Sequence, residues 1–379
     1  MNVRDSEVIC GLLEKEGHKI TDEPDTADVI LFNTCSVRQH AEDKVWSEIG
    51  RIAKLGEKKG TFPKKRGQSP FLIGGIGCMA QNYKEGIFER SPLVDFVVGP
   101  SDIGKIPEII KKFIVHSSEL REDSVLERKI WETAGEGRPD EIYHSGYYED
   151  KEHAYVVISE GCSNFCSYCV VPYVRGALRN RDHQNILKEI EEAAGKGITK
   201  ITLLGQNVNA YKSSSGVVDF PELLKLVNGI NEIKEFGFIT SHPKDTTEEL
   251  FRVMADLKKL KKYLHLPIQS GSDRILKLMN RGYAKKMYLD LIENYRKMLP
   301  QGVLTTDIIL GYPSETEEDF QETRDLVREA RFNAAFIFKY SARPGTKAWE
   351  VPDDVPQKEK ERRHRVILNL QKKISMGKK

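Results

Sequence analysis

Six short runs rich in apolar and β-branched residues, at 154–158, 200–204, 236–240, 263–267, 303–310 and 334–338, are separated by segments long enough for one helix each. Parallel strands need a crossover of a dozen or more residues, usually a helix, so this alternation predicts parallel pairing. Repeated six times with right-handed crossovers, the unit curls into a complete or partial barrel with its helices outside. Each run leads at once into a polar or glycine-rich loop: SEGCSNFCSYC, GQNVNAY, SHPKD, IQSGSDR, GYPSET and YSARPGT. Parallel barrels build their sites at the carboxyl ends of the strands, so these loops describe the rim of one pocket. Helix-start chemistry explains a few Ser and Asp residues, but not all six compositions.

The barrel occupies residues 151–350 of a 379-residue chain, too long for one core, which leaves the first part to fold separately. There a helix-periodic stretch at 6–13 ends at Gly17, and strand-like runs at 29–32, 71–73 and 96–98 alternate with helix-like 41–55 and 103–113. That pattern predicts a small parallel α/β, Rossmann-like domain over 1–114. Between 115 and 150 the periodicity fades into REDSVLERK and TAGEGRPDE, the composition of a linker. After the barrel, 351–379 carries one helix-like segment, 357–374.

With 39% hydrophobic and 31% charged residues, and no apolar run near the roughly 20 residues of a bilayer crossing, the chain reads as a soluble, cytoplasmic monomer with no membrane partner. Arg4, Asp5, Glu7, Glu14 and Lys15 interrupt the first apolar positions, which suits a helix with a wet face and not an export signal. A formal charge of +2 excludes global attraction to nucleic acid and leaves local patches. Lys58, Lys59, Lys64, Lys65 and Arg66 form one, and Arg362, Arg363, Arg365, Lys372 and Lys373 another. Ordinary solvated faces account for both equally well.

Six cysteines in a reducing compartment point to metal ligands or catalytic thiols, although a single buried Cys is commonly a small apolar filler. Cys162, Cys166 and Cys169 follow a C-x3-C-x2-C pattern with Phe165 and Tyr168 between them. A structural zinc wants four protein ligands, and no fourth Cys or nearby His stands at a suitable offset. Three soft thiolates suit a four-iron cube better, because one iron is left open to bind something other than protein.

A C-x3-C-x2-C loop after the first strand of such a barrel resembles the radical S-adenosylmethionine (SAM) enzymes. The resemblance implies that Cys162, Cys166 and Cys169 hold a [4Fe-4S] cluster whose open iron chelates SAM. One-electron cleavage then gives methionine and a 5′-deoxyadenosyl radical, the protein's tasks being positioning and exclusion of water. It further implies that Gly311 and Glu315 belong to the adenine-contact segment, that Gln206, Gln269 and Ser270 face the methionine and ribose portions, and that Arg175 pairs with the SAM carboxylate. Helix starts and turn formation are the plainer roles for these loop residues.

Longer phrases are similar to the methylthiotransferases: NTCSVR at 33–38, GCMAQ at 77–81, GCSNFCSYCVVPYVRG at 161–176, LLGQNVNAY at 203–211 and HLPIQSGSDRILKLMNRG at 265–282. The similarity runs over nearly the whole chain. LLGQNVNAY and NTCSVR are most like the tRNA branch, which implies methylthiolation of C2 of an N6-isopentenylated adenosine in the anticodon stem-loop. An electron donor such as flavodoxin or ferredoxin is implied with it. Related branches modify threonylcarbamoyl-adenosine or a ribosomal-protein aspartate. From another class, an iron–sulfur electron-transfer module without radical chemistry stays open on the residues alone. The resemblance also makes Cys35 and Cys78 ligands of a second, auxiliary [4Fe-4S] cluster. In the family the first auxiliary Cys lies in a Gly-Cys-Gln-Met-Asn stretch, and this sequence starts at the Met-Asn. Cys10 falls inside the first predicted helix and is not expected to replace it, so either the native protein starts upstream or the auxiliary cluster is impaired, and with Cys35 and Cys78 alone a poorly held second cluster is the expectation. The family's small β-rich TRAM domain, which binds RNA, has no counterpart after 374, and weak tRNA affinity is the expectation.

Overall fold

The computed structural model describes residues 1–36, 39–58, 72–119 and 129–377. The basic cluster of Lys59, Lys64, Lys65 and Arg66 lies outside the described residues. Two compact units emerge: Met1–Glu149 with Tyr173–Gly176, and Asp150–Pro172 with Ala177–Lys379. Among the described residues no helix is long and apolar enough to cross a membrane.

The first unit runs α1 (Asn2–Lys15), β1 (Val29–Thr34), α2 (Gln39–Lys58), β2 (Leu72–Gly77), α3 (Cys78–Tyr83), α4 (Gly86–Arg90), β3 (Phe96–Val98), α5 (Ile106–Glu119) and β4 (Ile130–Glu132). Its strands form one parallel sheet in the order β1-β2-β3-β4. Ile49 and Ile52 of α2 pack on Ile73, Ala80, Ile87, Val94 and Val97, each large aliphatic contributing about 1.5–3 kcal/mol of burial. The linker expected over 115–150 is corrected here: α5 continues through Glu119 and β4 adds a strand to the sheet. A three-residue strand whose central Trp131 is half exposed leaves no alternation long enough to read.

The second unit runs β5 (His153–Val157), β6 (Ser159–Glu160), α6 (Val171–Arg175), β7 (Arg179–Asn180), α7 (His183–Ala194), β8 (Lys200–Leu204), α8 (Phe220–Asn228), β9 (Glu235–Phe238) and α9 (Glu248–Asp256). It continues with β10 (Tyr263–His265), α10 (Asp273–Leu278), α11 (Lys285–Met298), β11 (Val303–Leu310), α12 (Glu317–Ala330), β12 (Ala334–Lys339) and α13 (Gln357–Met376). The end of α6 groups with the first unit. The long strands pair in parallel as β5-β8-β9 and β10-β11-β12, with a parallel bridge from Phe236 to Leu260 leading from one set towards the other. This is a partial (β/α)6 barrel. Asp182, Asp219, Thr247, Ser272 and Thr316 each accept a backbone N–H at the start of α7, α8, α9, α10 and α12, so loop and helix start are one piece of chemistry.

Candidate active site

The loop carrying the three close thiols is tied at its neck, where Ser159 and Glu160 pair antiparallel with Asn180 and Arg179. Its middle is seated on the exit of α10. Ser167 N–H donates to Met279 O (3.0 Å), Ser167 Oγ donates to Leu278 O (2.8 Å) and meets Tyr312 Oη (2.9 Å), and Asn280 Nδ2 donates to Phe165 O (3.0 Å). Tyr168 packs against a buried cluster of Ile275, Met279, Tyr312, Tyr340 and Ala348. Phe165 and Asn280 adopt the left-handed backbone region at φ 47 and 55, strain that persists only because these bonds over-determine the turn.

Cys166 is buried, and Cys162 and Cys169 are half-buried. Burial, reinforced by the neighbouring Cys166 sulfur, pushes the Cys169 thiol up to about 12, and burial raises Cys162 as well. Cys162 and Cys169 therefore hold their protons at neutral pH and release them when a metal takes their place. Among the described residues no three His, Cys, Asp or Glu gather as the donors of a single metal ion do. Donors to one tetrahedral zinc lie within about 4 Å of one another, given Zn–S bonds near 2.3 Å. Thiolates of a four-iron cube each bind a different iron and stand further apart than the donors to one zinc.

Around the barrel mouth, loop after loop ends in a buried polar atom without a hydrogen-bond partner: Ser159 Oγ, Gln206 Oε1, Asn207 Oδ1, Ser241 Oγ, His242 Nε2, Gln269 Oε1 and Glu315 Oε1. Each such atom costs roughly 1–3 kcal/mol when left unmatched, so the mouth favours a partner that satisfies them. Most of them are acceptors, which fits a partner rich in donors. Lys244 N–H donates to His242 Nδ1 (3.2 Å), so Nε2 carries the ring hydrogen. Burial, helped by Arg281 and Lys244, drives the His242 pKa down to about 2, and the imidazole stays neutral.

Not every residue expected here takes part in that ring. Ser270 is fully buried and turned inward, its Oγ meeting Thr323 Oγ1 (3.3 Å) and accepting from Ser272 N–H (3.2 Å). The plainer role prevails for Ser270, because a short hydroxyl in a tight turn reaches the backbone first. Gly311, at φ 72, lets the chain pass the Lys360 side chain, which an added Cβ would approach to 2.4 Å. Glu315 Oε2 accepts from Gly311 N–H (2.6 Å) and from Arg363 Nη1 (2.6 Å), which leaves Oε1 for a ligand. Arg363, expected in a basic patch, is therefore buried, and Arg362 pairs with Glu317 and Glu359. Arg362, Arg365, Lys372 and Lys373 of that set are exposed, Arg362 within surface ion pairs.

Arg175 is placed differently from the expected SAM-carboxylate contact. In the first unit its Nη2 donates to Asp5 Oδ2 (2.7 Å) and Asn2 Oδ1 (3.0 Å), and its Nε donates to Cys78 Sγ (3.2 Å). Burial opposes the charge of Asp5, but Arg138 and Arg175 outweigh it and hold that carboxyl well below the usual range. The β1–β2 register runs to Thr34 opposite Gly77, so Cys35 and Cys78 are the residues that directly follow these neighbouring strands. Gly77, at φ 86, allows this approach, since a Cβ there would meet Asn33 Oδ1 at 2.4 Å. Cys10 faces Glu14, Glu149 and Glu7, and burial with these carboxylates raises its thiol to about 11.

Residues missed in the sequence are His242, Ser241 and above all Arg281, whose Nη1 donates to Cys166 Sγ at 3.3 Å. Their signal was present only as the phrases SHPKD and LMNRG.

Residues 156–327 match the Radical SAM superfamily, which fixes the class of the barrel and its mouth. Residues 1–99 match a family described as "Uncharacterized protein family UPF0004". The chain is 43% identical to the tRNA-2-methylthio-N(6)-dimethylallyladenosine synthase of Carboxydothermus hydrogenoformans, covering 99% of this chain and 82% of that relative. It is also 43% identical to the synthase of the same name from Thermoanaerobacter sp., covering 100% and 77%. Of solved structures, the radical SAM methyltransferase TsrM from Kitasatospora setae superposes with a TM-score of 0.59 at 15% identity, over 88% of this chain and 69% of that one. OxsB, a cobalamin-dependent radical SAM enzyme, gives 0.55 at 14%, over 98% and 53%. Those two likenesses show the fold alone. The chain belongs to the radical SAM methylthiotransferases, in the family of the tRNA-2-methylthio-N(6)-dimethylallyladenosine synthases.

Proposed function

We propose that this chain adds a methylthio group to C2 of an N6-isopentenylated adenosine beside the anticodon of tRNA. The observation that carries the reading is a three-thiol loop anchored within a barrel whose mouth is ringed by buried polar atoms lacking partners, in a chain 43% identical to synthases of that name. Cys162, Cys166 and Cys169 would hold a [4Fe-4S] cluster, and Gln206, Asn207, His242, Gln269 and Glu315 would receive SAM. When bound, cluster and SAM together supply a one-electron cleavage that yields a hydrogen-abstracting radical. The chain's own part is to orient and to keep dry. The bonds from Met279 and Leu278 hold the loop, the buried walls exclude water, and the neutral His242 offers an N–H without bringing a second charge.

Cys35 and Cys78 would supply two ligands of the auxiliary cluster, a role that their adjacency across β1 and β2 supports. With tRNA as substrate, the place of work is the cytoplasm, and a small reducing protein such as a flavodoxin or ferredoxin would deliver the electron.

The test is incubation of anaerobically reconstituted full-length chain with SAM, a reductant and tRNA bearing isopentenyl-adenosine, followed by mass spectrometry of the nucleosides. A methylthio-isopentenyl-adenosine product is expected. If protein shown by iron count to carry both clusters forms 5′-deoxyadenosine at saturating tRNA while the tRNA stays unmodified, the substrate assignment is wrong, and if neither forms, radical chemistry is.

A further inference from the structure

Arg281 lies three residues beyond the end of α10 and is 4% exposed. Its Nη1 donates to Cys166 Sγ (3.3 Å) and Tyr168 Oη (3.3 Å), its Nη2 to Pro267 O (2.9 Å) and its Nε to Tyr283 Oη (2.9 Å). None of these partners is a carboxylate. Among the described residues no carboxylate pairs with it, whereas the buried Arg4, Arg175, Arg181 and Arg363 each have one. A guanidinium does not shed its proton, and a buried cation lacking a counter-charge costs several kcal/mol. The partner that metal binding would turn into an anion is the Cys166 sulfur.

We propose that Arg281 is a positioning residue whose cation is the built-in counter-charge of the cluster on Cys162, Cys166 and Cys169, setting how readily that cluster accepts an electron. The inference rests on the reading of those cysteines given above. Reduction adds one negative charge to a cluster ligated by thiolates. A fixed cation donating to a ligand sulfur stabilises that reduced state more than the oxidised one, because hydrogen bonds and local charge set cluster potentials. Tyr168 and Tyr283 hold the guanidinium from two sides, and Pro267 O anchors it at the foot of the loop that carries Gln269.

The experiment compares full-length wild type, Arg281→Gln and Arg281→Lys, each reconstituted anaerobically. Iron and sulfide are counted per chain, thermal unfolding is recorded, and redox titrations are followed by EPR, the signal perturbed on adding SAM marking the three-cysteine cluster. Arg281→Gln is expected to keep its iron and to shift the reduction equilibrium at least tenfold towards the oxidised cluster, about 59 mV for one electron. Arg281→Lys, which keeps the charge, should stay within about threefold of wild type. A variant set in which Gln loses the cluster and Lys retains it also supports the counter-charge role. A loaded Arg281→Gln with the wild-type midpoint, or a Lys variant that falls as far as Gln or also loses its iron, overturns it in favour of plain packing. Wild type that takes up no iron at these cysteines defeats the underlying reading itself.

Discussion

Gln269 is held at φ 74 by backbone bonds to Asp307 and Ile309, and its Oε1 is buried with nothing to accept from. A side chain in that situation destabilises the empty protein and rewards a ligand that donates to it. Gln269→Ala is therefore expected to change folding stability by less than about 1 kcal/mol while weakening SAM binding about five- to tenfold, the size of one hydrogen bond of roughly 1–1.5 kcal/mol. Calorimetric titration of the reconstituted protein with SAM, beside urea denaturation, checks both numbers, and unchanged affinity would remove Gln269 from the site. At this scale the sequence disclosed the residues whose spacing is itself chemical: three cysteines within eight positions, and amides directly after strand runs. Ser270 and Arg175 were legible as polar loop residues but not as to which way they turn. Arg281 and His242 were hidden because a lone Arg or His in a loop looks the same whether it faces water or a buried sulfur.

At the level of elements, Asp319 joins α10 to α12. It closes the capping box with Thr316, accepts from Ser272 Oγ (2.6 Å) and pairs with Arg274. Burial pushes its carboxyl up, but the bonds from Arg274, Ser272 and Thr316 outweigh that and hold it well below the usual carboxylate range. A depressed folded-state pKa adds stability above the unfolded value, about 3.9, and that stability is lost as pH falls through the folded one. Asp319→Asn should thus cost about 1–3 kcal/mol at neutral pH, with the deficit closing as pH drops below about 4. Equal deficits at pH 7 and pH 3 in denaturant titrations would refute the charge-based account. The six barrel strands were legible because each run pairs apolar content with a turn signal. The two-residue β6 and β7 and the three-residue β4 were not, since pairing partners, and no local pattern, define strands that short.

For the molecule as a whole, the two units divide the proposed labour. The triple variant C162A/C166A/C169A should lose about four irons per chain and all 5′-deoxyadenosine formation. The double variant C35A/C78A should keep 5′-deoxyadenosine formation and lose the methylthio product. Loss of 5′-deoxyadenosine in both would show that the division is wrong. The two-unit plan was readable from length and from the alternation of runs, while the extent of the first unit was not, because its last strand lies in a charge-rich stretch.

The Thr34–Gly77 register has a bearing on biogenesis. Cys162, Cys166 and Cys169 are local in the chain and can wrap a cluster before any tertiary structure exists, because closing so short a loop costs little entropy. Cys35 and Cys78 are forty-three positions apart (78 − 35 = 43) and become neighbours only once β1 and β2 have paired. On the proposed roles, topology would order metal uptake: the barrel thiols could bind before the sheet forms, and the other pair would wait for it.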